Sequence, residues 1–379
     1  MSEIVCNRCV MSTKIKDVVI DEKGECNFCK DHDTMDKQHP TGEEGQRIID
    51  KTVEKIKVDG KNKRHDCVIG ISGGADSSYL LAKSKLDWGL NPLAVHFQNH
   101  WNTEIAEHNI RTMTNKLGVD FMQITVDDKE YNDINKSFIL AEVPECDMNN
   151  DIGFTGALYR ACDYVGVKYS LIAHSFRTEG VTPASLFYMD GKYIESVHKR
   201  YGTMPMKTYP NLLWNQWMDW MLTSEIERPR FLWYMDYNKM EAVDYLKSNF
   251  GWKWYGGSHL ENKYTTFAPI WFYRKCGIDL RPHQLSAQVR SGFKTRQEAL
   301  DIISSPPTID PAIIDEIKFR LNIEDIDFDI IMNRPPQRTY LDFETYRNKF
   351  RASKDLFKRL LEQGRIPLTF YKKFVEQGY

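Results

Sequence analysis

The stretch that decides the fold is residues 66–81, DCVIGISGGADSSYLL. Residues 67–71 form a short apolar run rich in β-branched side chains, which predicts a buried strand. The glycines and small polar residues that follow predict a sharp turn, and the apolar pattern from residue 79 predicts a helix. A glycine turn between a strand and a helix start makes an anion cradle suited to phosphate, because the helix start offers free N–H groups and a positive dipole end.

The turn itself reads Ser72-Gly73-Gly74-Ala75-Asp76-Ser77-Ser78 and lacks the Lys of a Walker A loop. It resembles the SGGxDS pyrophosphate loop of the ATP pyrophosphatase (PP-loop) family, whose members split ATP into AMP and pyrophosphate. The resemblance implies that these seven residues bind ATP, that Ser72 and Asp76 are catalytic, and that Asp76 is associated with Mg²⁺. The alternatives are an ordinary glycine turn, and an Asp76 that only caps the helix.

The composition is that of a soluble globular protein. The chain has 379 residues, of which 41% are hydrophobic and 27% charged, and its formal net charge is −2. This length fits two domains or one large domain, and this charge disfavours a broad nucleic-acid surface. No apolar stretch has membrane-spanning length, and cysteines stand where a signal peptide would need an apolar core. We therefore expect a cytoplasmic protein with no membrane partner.

Two CxxC pairs near the N-terminus predict a metal site, and their residues are Cys6, Cys9, Cys26 and Cys29. Two such turns can bring four thiolates around one tetrahedral zinc ion, and a segment this short would depend on the metal for its folding. Because all four ligands would be protein thiolates, the zinc would be structural. An iron–sulfur cluster is the alternative that four cysteines leave open.

Strand-like and helix-like stretches alternate from residue 66 to about residue 173. Strands are predicted over 92–97, 121–126 and 168–173, and helices over 103–117, 131–141 and 155–165. This alternation predicts an α/β fold with a parallel, doubly wound sheet that has helices on both faces. Ligands of such sheets bind beyond the carboxyl ends of the strands. We therefore expect the phosphate loop, the end of the second strand and the segment from residue 174 to share one rim.

Several residues on this rim are candidates for the site. In PP-loop enzymes the end of the second strand helps to hold adenosine, which implies nucleotide contacts for His96, Phe97 and Gln98. After the fourth strand, the candidates for chemistry are His174 and Glu179, and those for substrate binding are Arg177 and Thr178. Capping of the loop by Thr178 and Glu179 is the alternative.

A second polar segment follows a Gly-Gly pair at residues 256 and 257. Its His259 and Glu261 are candidates for substrate binding near the phosphates. A hairpin turn beside a hydrogen-bonded histidine is the alternative.

The order of these features predicts four parts. They are a zinc-ribbon module (1–35), a helical linker (36–64), a PP-loop ATP-binding α/β domain (65–198) and a mostly helical region for substrate or partner binding (199–379). In the last part, Trp214, Trp217 and Trp220 recur at helical spacing, which favours a core stripe or a subunit interface in a homo-oligomer. Thr295 and Glu298 form a capping box that predicts a helix start.

Five segments together carry a more specific resemblance: CNRCVMST (6–13), ISGGADSSYL (71–80), HSFRTEG (174–180), GGSHLENKYTTF (256–267) and SGFKTRQEAL (291–300). They resemble the N-acetyl sugar amidotransferase family of bacterial surface-polysaccharide and flagellin-sugar synthesis. This implies an ATP-dependent ligase that converts the acetamido group of a nucleotide-activated or related N-acetyl sugar to an acetamidino group. In that scheme the acetamido oxygen is adenylylated and ammonia displaces AMP. The cofactors implied are ATP, Mg²⁺ and zinc.

The chain shows no glutaminase signature. The resemblance therefore implies that ammonia comes from separate glutaminase and cyclase-like subunits. A PP-loop tRNA thiolase is the alternative enzyme, but such thiolases usually keep a further CxxC in the catalytic domain, where this chain has only single cysteines. A zinc-ribbon interaction protein without activity is the third hypothesis, and it would have no use for a phosphate loop.

Overall fold

A four-stranded parallel sheet lies at the centre of the protein. The computed structural model describes residues 3–181, 186–257 and 260–376. The strands are β1 (Cys67–Gly70), β2 (Pro92–Gln98), β3 (Phe121–Thr125) and β4 (Ser170–Leu171), in the order β3-β2-β1-β4. All neighbouring pairs are parallel. Since the chain winds outward in both directions from β1, the predicted doubly wound parallel sheet is confirmed, with its switch point at β1.

Six helices precede β4. They are α1 (Asn27–Gln38), α2 (Gly42–Asp59), α3 (Ala75–Leu86), α4 (Glu104–Leu117), α5 (Asp128–Ala141) and α6 (Met148–Val165). The helices predicted at 103–117, 131–141 and 155–165 correspond to the last three. Thr103 caps α4 by accepting a hydrogen bond from the N–H of Ala106, and α6 begins earlier than its apolar pattern indicated.

The two faces of the sheet belong to two separate apolar clusters. Val68 and Val95 pack with residues of α5 and α6 on one face. Ile69 and Ala94, one position along their strands, pack with residues of α2, α3 and α4 on the other face. Because side chains alternate along a strand, both faces are buried under helices, as the fold class requires.

The chain after β4 is mostly helical among its described residues, as predicted. Its helices are α7 (Gly191–Tyr201), α8 (Trp214–Leu222), α9 (Lys239–Phe250), α10 (Lys263–Cys276), α11 (Arg281–Arg290), α12 (Arg296–Ile303), α13 (Pro311–Leu321), α14 (Asp325–Met332), α15 (Arg347–Ala352), α16 (Lys354–Glu362) and α17 (Leu368–Tyr371), followed by a π-helical turn at Lys372–Glu376. The predicted capping box of Thr295 and Glu298 begins α12. No helix among the described residues combines the length and the apolar character that crossing a bilayer requires.

The tryptophan stripe of α8 lies in the core. Trp217 and Trp220 are buried, and the ring of Trp217 contacts Phe350, Phe357 and Phe370 of the C-terminal helices. The core interpretation of the stripe is therefore confirmed. This cluster also contains residues of β1, β2 and α6, so one apolar cluster has members on both sides of residue 198.

An extended segment from this later region lies beside β4. The N–H of Ser170 donates to the carbonyl of Glu227 at 2.9 Å, and the N–H of Ile172 donates to the carbonyl of Pro229 at 2.9 Å. Arg228 and Arg230, in and just after this segment, therefore reach the carboxyl edge of the sheet. That edge is where the site lies.

Candidate active site

The loop between β1 and α3 is held in one shape by its own residues. Gly73 has a φ of 83°, and a Cβ added to it would lie 2.4 Å from the carbonyl oxygen of Ala106, so only glycine fits there. Its carbonyl accepts hydrogen bonds from the side chains of Asn109 at 3.1 Å and Trp252 at 3.2 Å. Helix α4 and the segment after α9 thus fix the position of the loop.

Hydroxyl groups close the same loop. The N–H of Gly74 donates to Ser72 Oγ at 3.2 Å, and the N–H of Ser72 donates to Ser77 Oγ at 3.3 Å. The Ser77 hydroxyl in turn donates to the carbonyl of Gly74 at 3.3 Å. The result is a compact turn that leads directly into the N-terminus of α3, where first-turn N–H groups point outward.

The loop forms the floor of a cavity of about 330 Å³ at the carboxyl edge of the sheet, which we call the loop cavity. Nine residues predicted for the site line it: Ser72, Gly74, Asp76, Ser77, His96, Phe97, His174, Glu179 and Glu261. Six others do not: Gly73, Ala75, Ser78, Gln98, Arg177 and Thr178. His259 lies outside the described residues.

Three of these six residues have side chains that form hydrogen bonds elsewhere in the protein. The side-chain oxygen of Gln98 accepts from the N–H of His100 at 2.9 Å. Arg177 donates to the carbonyls of Trp233 at 2.6 Å and His39 at 2.8 Å, and so joins the chain after β4 to the end of α1. Thr178 is buried and its hydroxyl donates to the carbonyl of Ser175 at 3.4 Å. Substrate contacts of Arg177 and Thr178 stay predictions.

Asp76 has two partners that the sequence did not indicate. Its Oδ1 accepts from the Tyr237 hydroxyl at 2.5 Å, and its Oδ2 lies 2.8 Å from Lys239 Nζ. The ammonium also lies 3.9 Å from the Glu179 carboxylate. Burial alone would lower the pKa of Lys239, but the carboxylates of Asp76 and Glu179 outweigh burial and raise it. The site therefore holds a permanent cation beside the phosphate loop.

Two charged side chains in the loop cavity each have a buried atom without a hydrogen-bond partner. These atoms are Nε of Arg228 and Oε2 of Glu261. Buried charged groups are normally paired, so their presence in one cavity indicates a place for a ligand that is itself polar. Arg228 suits a phosphate oxygen, and Glu261 suits a cation or a donor group.

The two histidines of the cavity differ in their hydrogen bonds. His96 Nδ1 donates to the carbonyl of Ile71 at 2.8 Å, and its Nε2 accepts from the side chain of Asn102 at 2.6 Å. Burial lowers the pKa of His96, which keeps it neutral. His174 is more exposed; its Nδ1 accepts from the indole N–H of Trp233 at 3.4 Å and its Nε2 faces Glu179 at 3.6 Å. His174 is therefore the histidine placed to move a proton.

Mg²⁺ prefers oxygen ligands and is usually held by one or two carboxylates together with substrate phosphates. Asp76, Glu179 and Glu261 all line the loop cavity, and the unpartnered oxygen of Glu261 suits such an ion. These carboxylates do not form a preassembled metal site among the described residues, where only the four cysteines meet closely enough. The donor set therefore fits an ion that arrives with the phosphates of a nucleotide.

The four N-terminal cysteines converge on one point. Cys6, Cys9, Cys26 and Cys29 are buried, and their sulfurs lie within 4.8 Å of one another. Sulfur–sulfur distances such as 3.9 Å for Cys6 and Cys29 and 3.6 Å for Cys9 and Cys26 are close to the ~3.8 Å edge of a tetrahedral zinc–thiolate site. The predicted group of four cysteines is present and its spacing fits zinc.

Helices α11 and α12 cover this group of four cysteines, which we call the metal group. Arg290 donates to the sulfurs of Cys29 at 3.2 Å and Cys9 at 3.3 Å. Arg296 donates to the carbonyls of Cys6 at 2.8 Å and Cys9 at 3.0 Å. A zinc ion with four thiolates carries two negative charges, so the Arg290 guanidinium offsets part of that charge.

Comparisons with known proteins give one match to a family. Residues 258–361 match the C-terminal domain of the family described as "LPS biosynthesis protein WbpG-like". The match spans the helices from α10 to α16 and includes Glu261. An uncharacterized protein of Methanocaldococcus jannaschii is 27% identical over 169 residues, which are 45% of this chain and 58% of that protein. The chain thus spans little more than half the length of this curated relative.

Three solved structures are similar at low identity. The NMN synthetase of Francisella tularensis is 14% identical with a TM-score of 0.26, and the match covers 59% of this chain and 92% of that one. The NH3-dependent NAD synthetase of Campylobacter jejuni, in complex with nitrate, is 14% identical with a TM-score of 0.30, and the match covers 73% of this chain and 93% of that one. The U34-tRNA thiolase of Methanococcus maripaludis with its 4Fe-4S cluster is 11% identical with a TM-score of 0.31, and the match covers 86% of this chain and 100% of that one. Likenesses at these TM-scores are too weak to bear on the activity of this chain.

Proposed function

We propose that this protein is an ATP-dependent amidotransferase of the PP-loop type, which converts the acetamido group of an N-acetyl sugar to an acetamidino group. The observation that carries the proposal is the loop cavity. Its floor is the SGGADSS loop, and its walls hold Lys239, an unpartnered Arg228 Nε and an unpartnered Glu261 Oε2. The match of residues 258–361 to a lipopolysaccharide-biosynthesis domain supports a sugar as the acceptor.

The reaction begins when the acetamido oxygen attacks the α-phosphate of ATP and pyrophosphate leaves. The first turn of α3 and the ammonium of Lys239 stabilise the charge on the departing pyrophosphate. Bound Mg²⁺ would supply further positive charge at the phosphates. The acetamido nitrogen loses its proton as the oxygen becomes adenylylated, and the Glu179 carboxylate, which lines the loop cavity and faces His174 Nε2, is placed to accept that proton.

Ammonia then adds to the adenylylated carbon, and the C–O bond to AMP breaks to leave the amidine. We propose that separate glutaminase and cyclase-like subunits deliver this ammonia, since the described cysteines have no nucleophile setting. Cys67, Cys146 and Cys162 are fully buried, and burial raises the pKa of each thiol. The same cysteines disfavour the tRNA thiolase, because no described residue lining the loop cavity is a cysteine.

The test is incubation of the zinc-loaded chain with ATP, Mg²⁺ and ammonium, first alone and then with a panel of acetamido sugars and their nucleotide-activated forms. We expect AMP and pyrophosphate to form in equal amounts only when an acetamido sugar is present. Parallel reactions with tRNA and a sulfur donor test the thiolase. AMP formation only in those reactions, or no AMP in any of them, would contradict the proposal.

A further inference from the structure

A second cavity, of about 850 Å³, lies on the other side of His174. Its walls come from α1 of the zinc module, from the chain after β4, from the segment at 230–233 and from the C-terminal turn at 367–376. Ile172 and His174 line both this cavity and the loop cavity. The two cavities are therefore neighbours that share a wall, and the shared wall contains the histidine placed to move a proton.

Two cations in the second cavity have no close counter-ion among the described residues. Arg230 and Lys373 line it and are partly buried. The cavity also contains the carboxylates of Asp17, Asp31 and Glu376, but no described carboxylate lies within 4.0 Å of Arg230 or Lys373, whereas Asp31 pairs with Lys372 at 3.4 Å. Burial lowers the pKa of Arg230 to about 10 and that of Lys373 to about 8, although the more distant carboxylates of Asp151 and Glu145 act to raise the pKa of Lys373. A bound anion would stabilise both cations.

Aromatic rings form much of the remaining wall. Phe176 and Trp233 lie edge to face with centroids 5.3 Å apart, and Phe28 and Phe370 line the same space. Flat apolar rings beside a few charged groups are typical of pockets for ligands with both apolar faces and charges, and a volume of 850 Å³ is in the range for molecules larger than a monosaccharide. The indole N–H of Trp233 also holds His174.

We propose that this second cavity binds the acceptor as a phosphate-bearing acetamido sugar, with Arg230 and Lys373 holding its phosphate and the acetamido group directed past His174 toward the loop cavity. The inference rests on the proposed function and deepens it, because it assigns the acceptor a site. It also gives the zinc module a role, since α1 forms one wall of the acceptor site. Arg230 and Lys373 are binding residues in this proposal and take no part in bond making.

The test measures binding to the full zinc-loaded chain by calorimetry. The probes are UDP-N-acetylglucosamine, CMP-N-acetylneuraminate, N-acetylglucosamine 1-phosphate and uncharged N-acetylglucosamine. We expect at least one phosphate-bearing probe to bind, and Arg230→Gln and Lys373→Gln each to weaken that binding at least tenfold while the Kd for ATP changes less than twofold. Arg111→Gln, on the exposed side of α4, is the matched control and should change neither.

Hydrogen–deuterium exchange on the unmodified protein provides a second measurement that needs no variant. A bound phosphate-bearing probe should protect residues 172–176, 230–233 and 367–376, whereas ATP should protect residues 71–78. The inference is overturned if none of the probes binds, if uncharged N-acetylglucosamine binds as tightly as the phosphate-bearing ones, or if protection is confined to 71–78. If Arg230→Gln forms sugar-dependent AMP with an unchanged KM for the sugar, this inference fails while the proposed function stands.

Discussion

Lys239 Nζ lies 2.8 Å from Asp76 Oδ2, which joins the start of α9 to the phosphate loop. The pair is largely buried, with 14% of the lysine side chain and 16% of the aspartate side chain exposed. Helix α9 also packs on α3 in the apolar cluster around Leu246. In the proposed reaction, a cation from a distant helix would therefore lie where the charge of the departing pyrophosphate develops.

Replacement of Lys239 tests this placement. Lys239→Met should lower sugar-dependent AMP formation about a hundredfold, because one preorganised positive group at the developing charge is lost. Lys247→Met, on the exposed side of the same helix, is the control and should keep normal activity. The assay is pyrophosphate release at saturating ammonium. Equal rates of pyrophosphate release for both variants would contradict the proposed role of Lys239 at the phosphates.

Gly73→Ala tests the shape of the loop. It should reduce the free energy of unfolding by more than Gly118→Ala, and it should abolish ATP binding. Both glycines have a positive φ, 83° and 58°, but an added Cβ meets the Ala106 carbonyl at 2.4 Å only at Gly73, while nothing lies within 4 Å at Gly118. Gly118→Ala thus measures the conformational cost alone, about 1 kcal/mol. If urea titrations give the same loss of unfolding free energy for both variants, the contact with the Ala106 carbonyl adds nothing, which would contradict the prediction.

Arg290→Met tests the support of the metal group. It should speed metal loss to a colorimetric chelator about tenfold, because a group that hydrogen-bonds metal ligands commonly changes affinity by that amount or more. Arg281→Met lies on the same helix, where its guanidinium pairs with Asp279, and serves as the control. Metal analysis should find one zinc per chain in the unmodified protein. Iron instead of zinc would contradict the zinc assignment. Equal rates of metal release from Arg290→Met and Arg281→Met would show that Arg290 does not stabilise the bound metal.

The carboxyl group of Glu145 should make stability depend on pH. Burial raises its pKa to about 7, although it accepts hydrogen bonds from the N–H of Tyr188 and the hydroxyl of Tyr193. The native state therefore holds a proton between pH ~4.3 and 7 that the unfolded chain releases, so this group's contribution to stability falls as pH rises through that window and is constant above it.

The comparison that isolates this group is Glu145→Gln against the unmodified protein. From pH 5 to pH 8 the stability of Glu145→Gln relative to the unmodified protein should increase by about 3 kcal/mol. Glu362→Gln, at an exposed position, is the control and should give a constant difference. Urea titrations at several pH values measure the difference in unfolding free energy between each variant and the unmodified protein. A difference for Glu145→Gln that does not change with pH would contradict a raised pKa of Glu145.

The sequence by itself determined the features that depend on neighbours along the chain. The strand–turn–helix at residues 66–81, the two CxxC pairs, the alternation that makes a parallel sheet and the capping box at Thr295 all follow from local spacing. Such patterns are readable because backbone conformation, period and short motifs are set within a few residues. The rim that carries the site followed from the fold class alone.

Only the tertiary structure decided which distant side chains complete that rim. Lys239 and Arg228 reach the loop cavity because α9 packs on α3 and the segment at 227–229 lies beside β4, and no local pattern marks a lysine for that position. The tryptophan stripe fitted either a core or an interface until the C-terminal rings were seen to cover it. Long-range packing sets these contacts because they follow from the shape of the whole core rather than from the residues adjacent in sequence.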